Sequence, residues 1–193
     1  MTNETTLTKR DVARRQLVTA INLLFENRDR VSIYTLAANA WEIIDSLCNK
    51  PIIESFSNQT RENLSAGEDL KHDYINKPYR NFFKHADRDP NSVLPYLNEK
   101  TVDSVVFLAV EDYIRLYKQS PIELQVFQLW YLAVNPSKIA SQAIDKAIKN
   151  IQEIFPGIEK LERARQIEIA NQTLKQALSD EHLISDPRTE LSI

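Results

Sequence analysis

Residues 76–90 read NKPYRNFFKHADRDP, and this stretch organises the interpretation of the whole chain. On a helical wheel at about 100° per residue, its aromatic residues fall on one face. Its cations recur at spacings of three and four residues on the opposite side: Lys77, Arg80, Lys84 and Arg88. Pro78 is compatible with the beginning of a helix, and Pro90 is a stop signal. The pattern predicts one helix, from about His72 to Ala86, that is packed by one face and charged on the other.

The chain on both sides of this helix also carries helical patterns. Apolar residues recur every three or four positions from about Thr8 to Asn49 and from about Thr101 to Leu178. Only two glycines occur in 193 residues, which argues against tight hairpins and phosphate-binding loops. We therefore predict an all-α fold: a single-domain helical bundle of about six to eight helices with antiparallel neighbours, over residues 1–178. A polar C-terminal tail, 179–193, follows it.

Three segments of the chain depart from the regular amphipathic pattern. A short helix fits residues 51–56, and the polar stretch after it, 57–70, is typical of a long loop. The segment 122–134 is apolar almost all round, which is typical of a helix in the core or in an interface. The last predicted helix, about Ile158–Leu178, has a narrow apolar stripe and is expected at the surface or against a partner.

Composition and charge restrict the classes of function. The formal net charge is −3, so no general basic field attracts nucleic acid, and a site for a polyanion must be a local patch. The single cysteine, Cys48, excludes an intrachain disulfide. The N-terminal residues contain no apolar signal segment, and no run approaches the roughly 18 apolar residues that span a bilayer. A cytoplasmic protein without membrane association is the expectation.

Arg80 and His85 are separated by four residues, and the polar Asn81 follows the arginine. This spacing resembles the R-x4–6-H motif of the HEPN superfamily, whose members are small all-α proteins. Many of them are ribonucleases of toxin–antitoxin and anti-phage systems. The longer wording NFFKHADRDP is similar to a stretch found in bacterial proteins of unknown activity. The resemblance implies an endoribonuclease, or an RNA-binding protein, of a toxin–antitoxin or stress and defence system.

The implied chemistry needs neither a metal nor another cofactor, because the 2′-OH of RNA can attack the adjacent phosphate. Such a reaction requires a group that exchanges protons near neutral pH, for which His85 is suited, and a fixed cation, for which Arg80 is suited. Asn81 would orient the imidazole or the phosphate. On a regular helix Arg80 and His85 lie roughly 140° apart, so the homodimer that the resemblance implies would unite them. The flanking phosphates would be held by Lys77, Lys84 and Arg88.

Other interpretations of the same residues stay open. Charged residues opposite an apolar face are also typical of a solvated helix, in which case the chain is a non-catalytic interaction module for a protein partner or a second copy. Cys48 lies on the inward face of its helix and is expected to be a buried hydrophobe rather than a nucleophile. Five residues offer ligand types for a divalent ion, but their spacing is no recognised ligand set, and no metal site is predicted: His72, Asp73, His85, Asp87 and Asp89.

Overall fold

The computed structural model describes residues 6–49, 53–87, 89–94, 96–139 and 145–191, and confirms the all-α prediction: these ranges contain helices and no strand. None of the helices in these ranges is both long and apolar enough to cross a bilayer. Two 3₁₀ turns, Pro136–Lys138 and Ile158–Lys160, occur between the helices. In chain order, the helices are α1 (Lys9–Phe25), α2 (Arg30–Cys48), α3 (Phe56–Glu62), a π-helix (Leu70–Arg80), α4 (Asn81–Lys84), α5 (Glu99–Tyr117), α6 (Ile122–Val134), α7 (Asp145–Ile154), α8 (Arg163–Ala177) and α9 (Glu181–Ile184).

The chain separates into two compact units. The first unit comprises Met1–Ala20 and Arg30–Lys118, and the second comprises Ile21–Asp29 and Gln119–Ile193. The extent of the single domain expected from the sequence, 1–178, stays a prediction.

In the first unit, α2 pairs most extensively with α5, which is distant in sequence, rather than with its sequence neighbour α1. Small residues on α2 allow this close approach, because Ala37, Ala38 and Ala40 are all buried. The beginning of α1 is capped by two side chains that are close in sequence. Thr8 Oγ1 accepts a hydrogen bond from the Asp11 N–H at 3.1 Å, and Asp11 Oδ2 accepts one from the Thr8 N–H at 3.0 Å.

α3 corrects the expectation that residues 57–70 form a long loop. This polar stretch begins inside a helix, because Ser55 caps α3 by accepting the Asn58 N–H at 3.0 Å. The first residues of the short helix expected at 51–56 lie outside the described residues. The first part of this polar stretch is therefore helical, and a polar side chain stabilises the beginning of that helix.

A buried polar network connects α3 to α2 and α5. Ser57 is fully buried, and its Oγ accepts a hydrogen bond from Trp41 Nε1 at 2.8 Å. Ser57 also donates twice to Asp112, from its backbone N–H at 3.0 Å and from its hydroxyl. Burial raises the pKa of Asp112 above its ordinary value, although the hydrogen bonds from Ser57 act in the opposite direction.

We expect Asp112→Asn to alter the pH dependence of stability. A carboxyl whose pKa is raised on folding contributes stability below its unfolded pKa, about 3.9, and loses it as pH rises through the folded pKa. The free energy of unfolding of the wild type should therefore fall relative to that of Asp112→Asn as the pH rises above about 4. Urea unfolding at a series of pH values measures this difference, and a difference that stays constant with pH would contradict the assignment.

α6 forms the core of the second unit, which confirms the core interpretation of residues 122–134. Phe127 and Trp130 are fully buried, with ring centroids 5.6 Å apart. Phe25, in the part of α1 that belongs to this unit, lies 6.2 Å from the Phe127 ring and 5.5 Å from that of Trp130. α8 packs against α6, and its inward positions are Ile167, Ala170 and Leu174. The narrow apolar stripe of α8 therefore packs against α6 within the second unit.

The segment after α8 folds back onto the beginning of α6. Asp180 caps α9, and the Ser120 N–H donates to the Arg188 carbonyl at 2.9 Å. The Glu190 N–H donates to the Ser120 carbonyl at 3.0 Å, which completes an isolated parallel bridge. Residues expected to be a polar tail therefore make backbone hydrogen bonds as far as Glu190.

Candidate nucleic-acid interface

The predicted site residues lie on a π-helix that continues into one α-turn. The backbone N–H of Asn81 donates to the carbonyl of Asn76, five residues earlier, where an α-helix would bond four residues earlier. Pro78 lies inside this helix rather than near its start. A proline in a helix interior has no N–H and clashes with the carbonyl four residues before it. The wider turn accommodates that clash, and the prediction of a regular α-helix over residues 72–86 is therefore wrong.

The wider winding also changes which side chains face inward. Ile75 is buried, whereas Phe82, assigned to the aromatic face, is 37% exposed. Arg80, assigned to the charged side, is only 7% exposed. The helical wheel fails here because it assumes about 100° per residue. The helix also ends earlier than expected, since His85 has an extended backbone, with φ −124° and ψ 103°.

Arg80 is held in place by polar side chains from α2 and the π-helix. Its Nη2 donates to Asn39 Oδ1 at 2.8 Å, and its Nη1 donates to Asn76 Oδ1 at 3.3 Å. Nη1 also forms an ion pair with Glu42 Oε2. Asn39 and Glu42 are three residues apart on α2 and so share one face of that helix. Arg80 Nε is buried and has no hydrogen-bond partner among the residues that the structure describes.

Glu42 also pairs with Lys71. Lys71 Nζ lies 2.5 Å from Glu42 Oε1, so each carboxylate oxygen has its own cation. Burial acts to raise the pKa of Glu42, but hydrogen bonds from Lys71 and Arg80 outweigh it and lower that pKa. Partial burial and then the charges of Arg80 and Lys71 lower the pKa of Lys84, while Glu42 opposes the shift. We call these four residues the Glu42 cluster: Glu42, Lys71, Arg80 and Lys84.

The remaining predicted site residues lie at the surface. Lys77 and Asn81 are exposed, and the His85 side chain is about half exposed, with Nδ1 3.8 Å from Asp87 Oδ1. Arg88 lies outside the described residues. Within the described part of the chain, no hydrogen bond joins His85 to Arg80. The structure thus brings Arg80 and Lys84 into one cluster and leaves His85 on the exposed turn that follows it.

No protein-family model, curated protein or solved structure matches this chain. The resemblance to the HEPN superfamily accordingly stays a prediction. Function has to be argued from the side chains themselves.

The sequence interpretation missed the residues that organise the cluster on the α2 side. Asn39 lies in the run AANA, in which it is the only polar residue. Glu42 follows the buried Trp41 directly. A polar residue inside a small-residue run on an otherwise inward face is the signal that could have predicted a buried cation opposite it, because buried polar groups need partners.

Aromatic side chains of α2, the π-helix and α4, the helices that carry the cluster, pack against one another. Tyr34 is fully buried; its hydroxyl donates to the Ile75 carbonyl at 2.9 Å, and burial raises its pKa. Its ring centroid lies 5.4 Å from that of Tyr79 and 5.9 Å from that of Phe83. Phe82 lies 6.3 Å from Phe83 and forms the exposed edge of this group. The surface around α4 therefore combines cations with one exposed aromatic ring.

Two other candidate chemistries have a structural outcome. Cys48 is buried, and burial, followed by the charges of Asp112 and Asp45, raises its pKa to about 12. It is a protonated, inaccessible thiol, which confirms the interpretation of Cys48 as a buried hydrophobe. Among the described residues, no three histidine, cysteine, aspartate or glutamate side chains are grouped to hold a metal ion.

Proposed function

We propose that this protein binds the backbone of single-stranded RNA at the surface formed by the Glu42 cluster and His85, and cleaves that RNA by attack of its own 2′-OH. The observation that carries the proposal is the local charge. Two cations, Lys71 and Arg80, pair with the carboxylate of Glu42, and a third, Lys84, is electrostatically coupled to them, on a chain whose net charge is −3. A local excess of positive charge is what a phosphate backbone requires.

The proposed reaction assigns the proton transfers to His85. The 2′-oxygen attacks phosphorus as the imidazole removes its proton, and the bond from phosphorus to the 5′-oxygen breaks. The imidazolium then returns the proton to that leaving oxygen. The products are a 2′,3′-cyclic phosphate and a 5′-hydroxyl end. Arg80 stabilises the developing charge, and Lys84, Lys77 and Asn81 contact neighbouring phosphates from the exposed side.

The exposed edge of the aromatic group indicates which form of nucleic acid is bound. An unpaired base can stack on Phe82, whereas a base within a duplex has no free face to offer. Phe82 and Lys84 both belong to α4, so the same short segment carries a stacking surface and a phosphate contact. Single-stranded RNA is therefore the proposed substrate.

A homodimer and an intracellular setting belong to the same proposal. Because no hydrogen bond joins His85 to Arg80 within the described chain, we expect a second copy to complete the catalytic group. A HEPN-like nuclease of this kind would act on RNA in the cytoplasm, as part of a toxin–antitoxin, stress or defence system.

The proposal is tested with a fluorescein-labelled 12-nucleotide single-stranded RNA in buffer with EDTA. We expect binding that weakens steeply with salt, and slow cleavage to a 2′,3′-cyclic phosphate. Lys84→Ala should weaken binding and reduce the slope of log K against log salt by about 0.7, the value for one phosphate contact on a single strand. Fluorescence anisotropy at four or more salt concentrations measures both quantities.

Lys160→Ala is the matched control for Lys84→Ala, because Lys160 is an exposed lysine in the second unit. It should leave affinity and slope unchanged. Equal losses of RNA affinity in both variants would mean that binding depends only on the total charge of the protein. If the wild type neither bound nor cut RNAs of varied sequence, the proposed function would be abandoned.

A non-catalytic interaction module is the second candidate, and one observation favours it. Val93 and Tyr96, both between α4 and α5, are large apolar side chains that are mostly exposed. Tyr96 is also contacted by the Arg30 guanidinium, 5.0 Å from its ring centroid. Exposed apolar side chains are typical of protein contacts. Binding through them would depend little on salt, which separates this function from RNA binding.

A further inference from the structure

We infer that Glu42 is an internal competitor for the RNA phosphate: its carboxylate occupies the position of a phosphate group between Lys71 and Arg80 and has to be displaced when RNA binds. The contact is autoinhibitory. The inference rests on the proposed function, because it concerns the same surface, and it adds a form of regulation to it.

The Glu42 carboxylate is held between two cations, as a phosphate group would be. Its two oxygens bind two different cations, Lys71 on Oε1 and Arg80 on Oε2. Arginine binds carboxylate and phosphate through the same N–H geometry, and lysine binds either as a point charge. A phosphate oxygen can therefore take the place of each Glu42 oxygen without any change in the cations.

Glu42 leaves one donor of Arg80, its Nε, unused. Arg80 contacts Glu42 and its asparagine partners through Nη1 and Nη2, while Nε has no hydrogen-bond partner among the described residues. The Arg80 side chain is 91% buried, since its relative exposure is 9%, so water reaches this donor poorly. A carboxylate has two oxygens and both are engaged. A phosphodiester also has two charged oxygens, but it adds ester oxygens, and one of these could accept from Nε.

Glu42 and Lys71 are exposed enough for a phosphate group to replace the carboxylate. The Glu42 side chain is 31% exposed and that of Lys71 is 45% exposed, so an anion from solvent can reach the pair. The Glu42 cluster contains three cations and one carboxylate, so a second negative charge is attracted before Glu42 leaves. Glu42 can then swing towards solvent, where its desolvation cost disappears.

The test compares Glu42→Gln with Glu99→Gln. Glu99 is a matched control in the same unit, because it is also a carboxylate that pairs with an arginine, Arg30, and is 36% exposed. Glu42→Gln should bind the 12-nucleotide RNA about tenfold more tightly than Glu99→Gln at low salt, the order expected for removing an anion a few ångströms from a bound phosphate. The gain should vanish in Glu42→Gln combined with Arg80→Gln.

The outcomes separate this inference from the proposed function. If RNA binding depends on Lys84 but Glu42→Gln binds no more tightly than Glu99→Gln, the inference is overturned and the proposed function stands. If neither variant binds RNA, the proposed function fails, and inorganic pyrophosphate decides the inference. Pyrophosphate should raise the Tm of Glu42→Gln more than that of Glu99→Gln, and equal shifts overturn the inference.

Glu42→Asp covers the case in which Glu42→Gln does not fold. The aspartate keeps the charge but is one methylene shorter, so it withdraws from Lys71 and Arg80. We expect a smaller gain in RNA affinity in the same direction. A loss of affinity in a folded Glu42→Asp would overturn the inference, because it would mean that the carboxylate supports binding.

Discussion

His85→Ala is expected to lower the rate of RNA cleavage by about 10²- to 10⁴-fold, the usual contribution of a general acid–base group. RNA affinity should change little, because the cationic contacts of the Glu42 cluster stay in place. The free energy of unfolding should change by less than about 0.5 kcal/mol, since the His85 side chain is about half exposed. Gel analysis of the labelled RNA in EDTA measures cleavage, and anisotropy measures binding.

The control for this variant is His72→Ala. His72 is an exposed histidine of the π-helix with its own carboxylate neighbour, Asp73, at 2.8 Å from its Nδ1. It has no role in the proposed chemistry, so cleavage should continue at the wild-type rate. Equal cleavage by the wild type and His85→Ala would remove His85 from the mechanism, whatever the binding data show.

Phe127→Ala is expected to lower the free energy of unfolding by about 3–5 kcal/mol, the usual cost of removing a buried aromatic side chain. Phe127 is fully buried, and its ring lies near those of Phe25, Trp130 and Tyr131. A loss of this size is a large part of the total stability of an ordinary domain. Urea unfolding followed by circular dichroism measures the change.

The two tryptophans make this measurement specific to each unit. Trp41 belongs to the first unit and Trp130 to the second, so replacement of either by phenylalanine leaves a single fluorescent reporter. Leu191→Ala, at a mostly exposed position of the second unit, should cost no more than about 0.5 kcal/mol. A similar small effect of Phe127→Ala would contradict its assignment to a packed core.

The parts of the fold that follow simple periodicity were predictable from sequence. α6 was expected at residues 122–134 and begins and ends at those residues, because its apolar side chains leave no polar face to place at the surface. Pro156-Gly157 is a typical helix-stop sequence shortly after the end of α7, and the φ of +66° at Gly157 is a value that glycine adopts without strain. In both cases the deciding information is local.

The parts that escaped prediction depend on partners distant in sequence. Ser57 looked like part of a loop because nothing near it indicates that Asp112, 55 residues later, accepts both of its hydrogen bonds. Arg80 looked like a surface cation because its partners on α2, Asn39 and Glu42, lie about 40 residues earlier. The burial of a charged side chain can be predicted only when the residue that carries its counter-charge is known. The candidate site was therefore located by its motif, while its electrostatic organisation was not.

The π-helix makes the position of Arg80 depend on how many residues precede it. Near its C-terminal end the backbone hydrogen bond from Asn81 reaches five residues back, to Asn76, instead of the four of an α-helix, so the winding there holds one residue more than an α-turn would. If one residue were lost before Asn76 and the winding did not adjust, Arg80 would move by one residue step, about 100°, around the helix axis and away from Glu42. Spacing in this segment should accordingly tolerate less change than the identity of its exposed side chains.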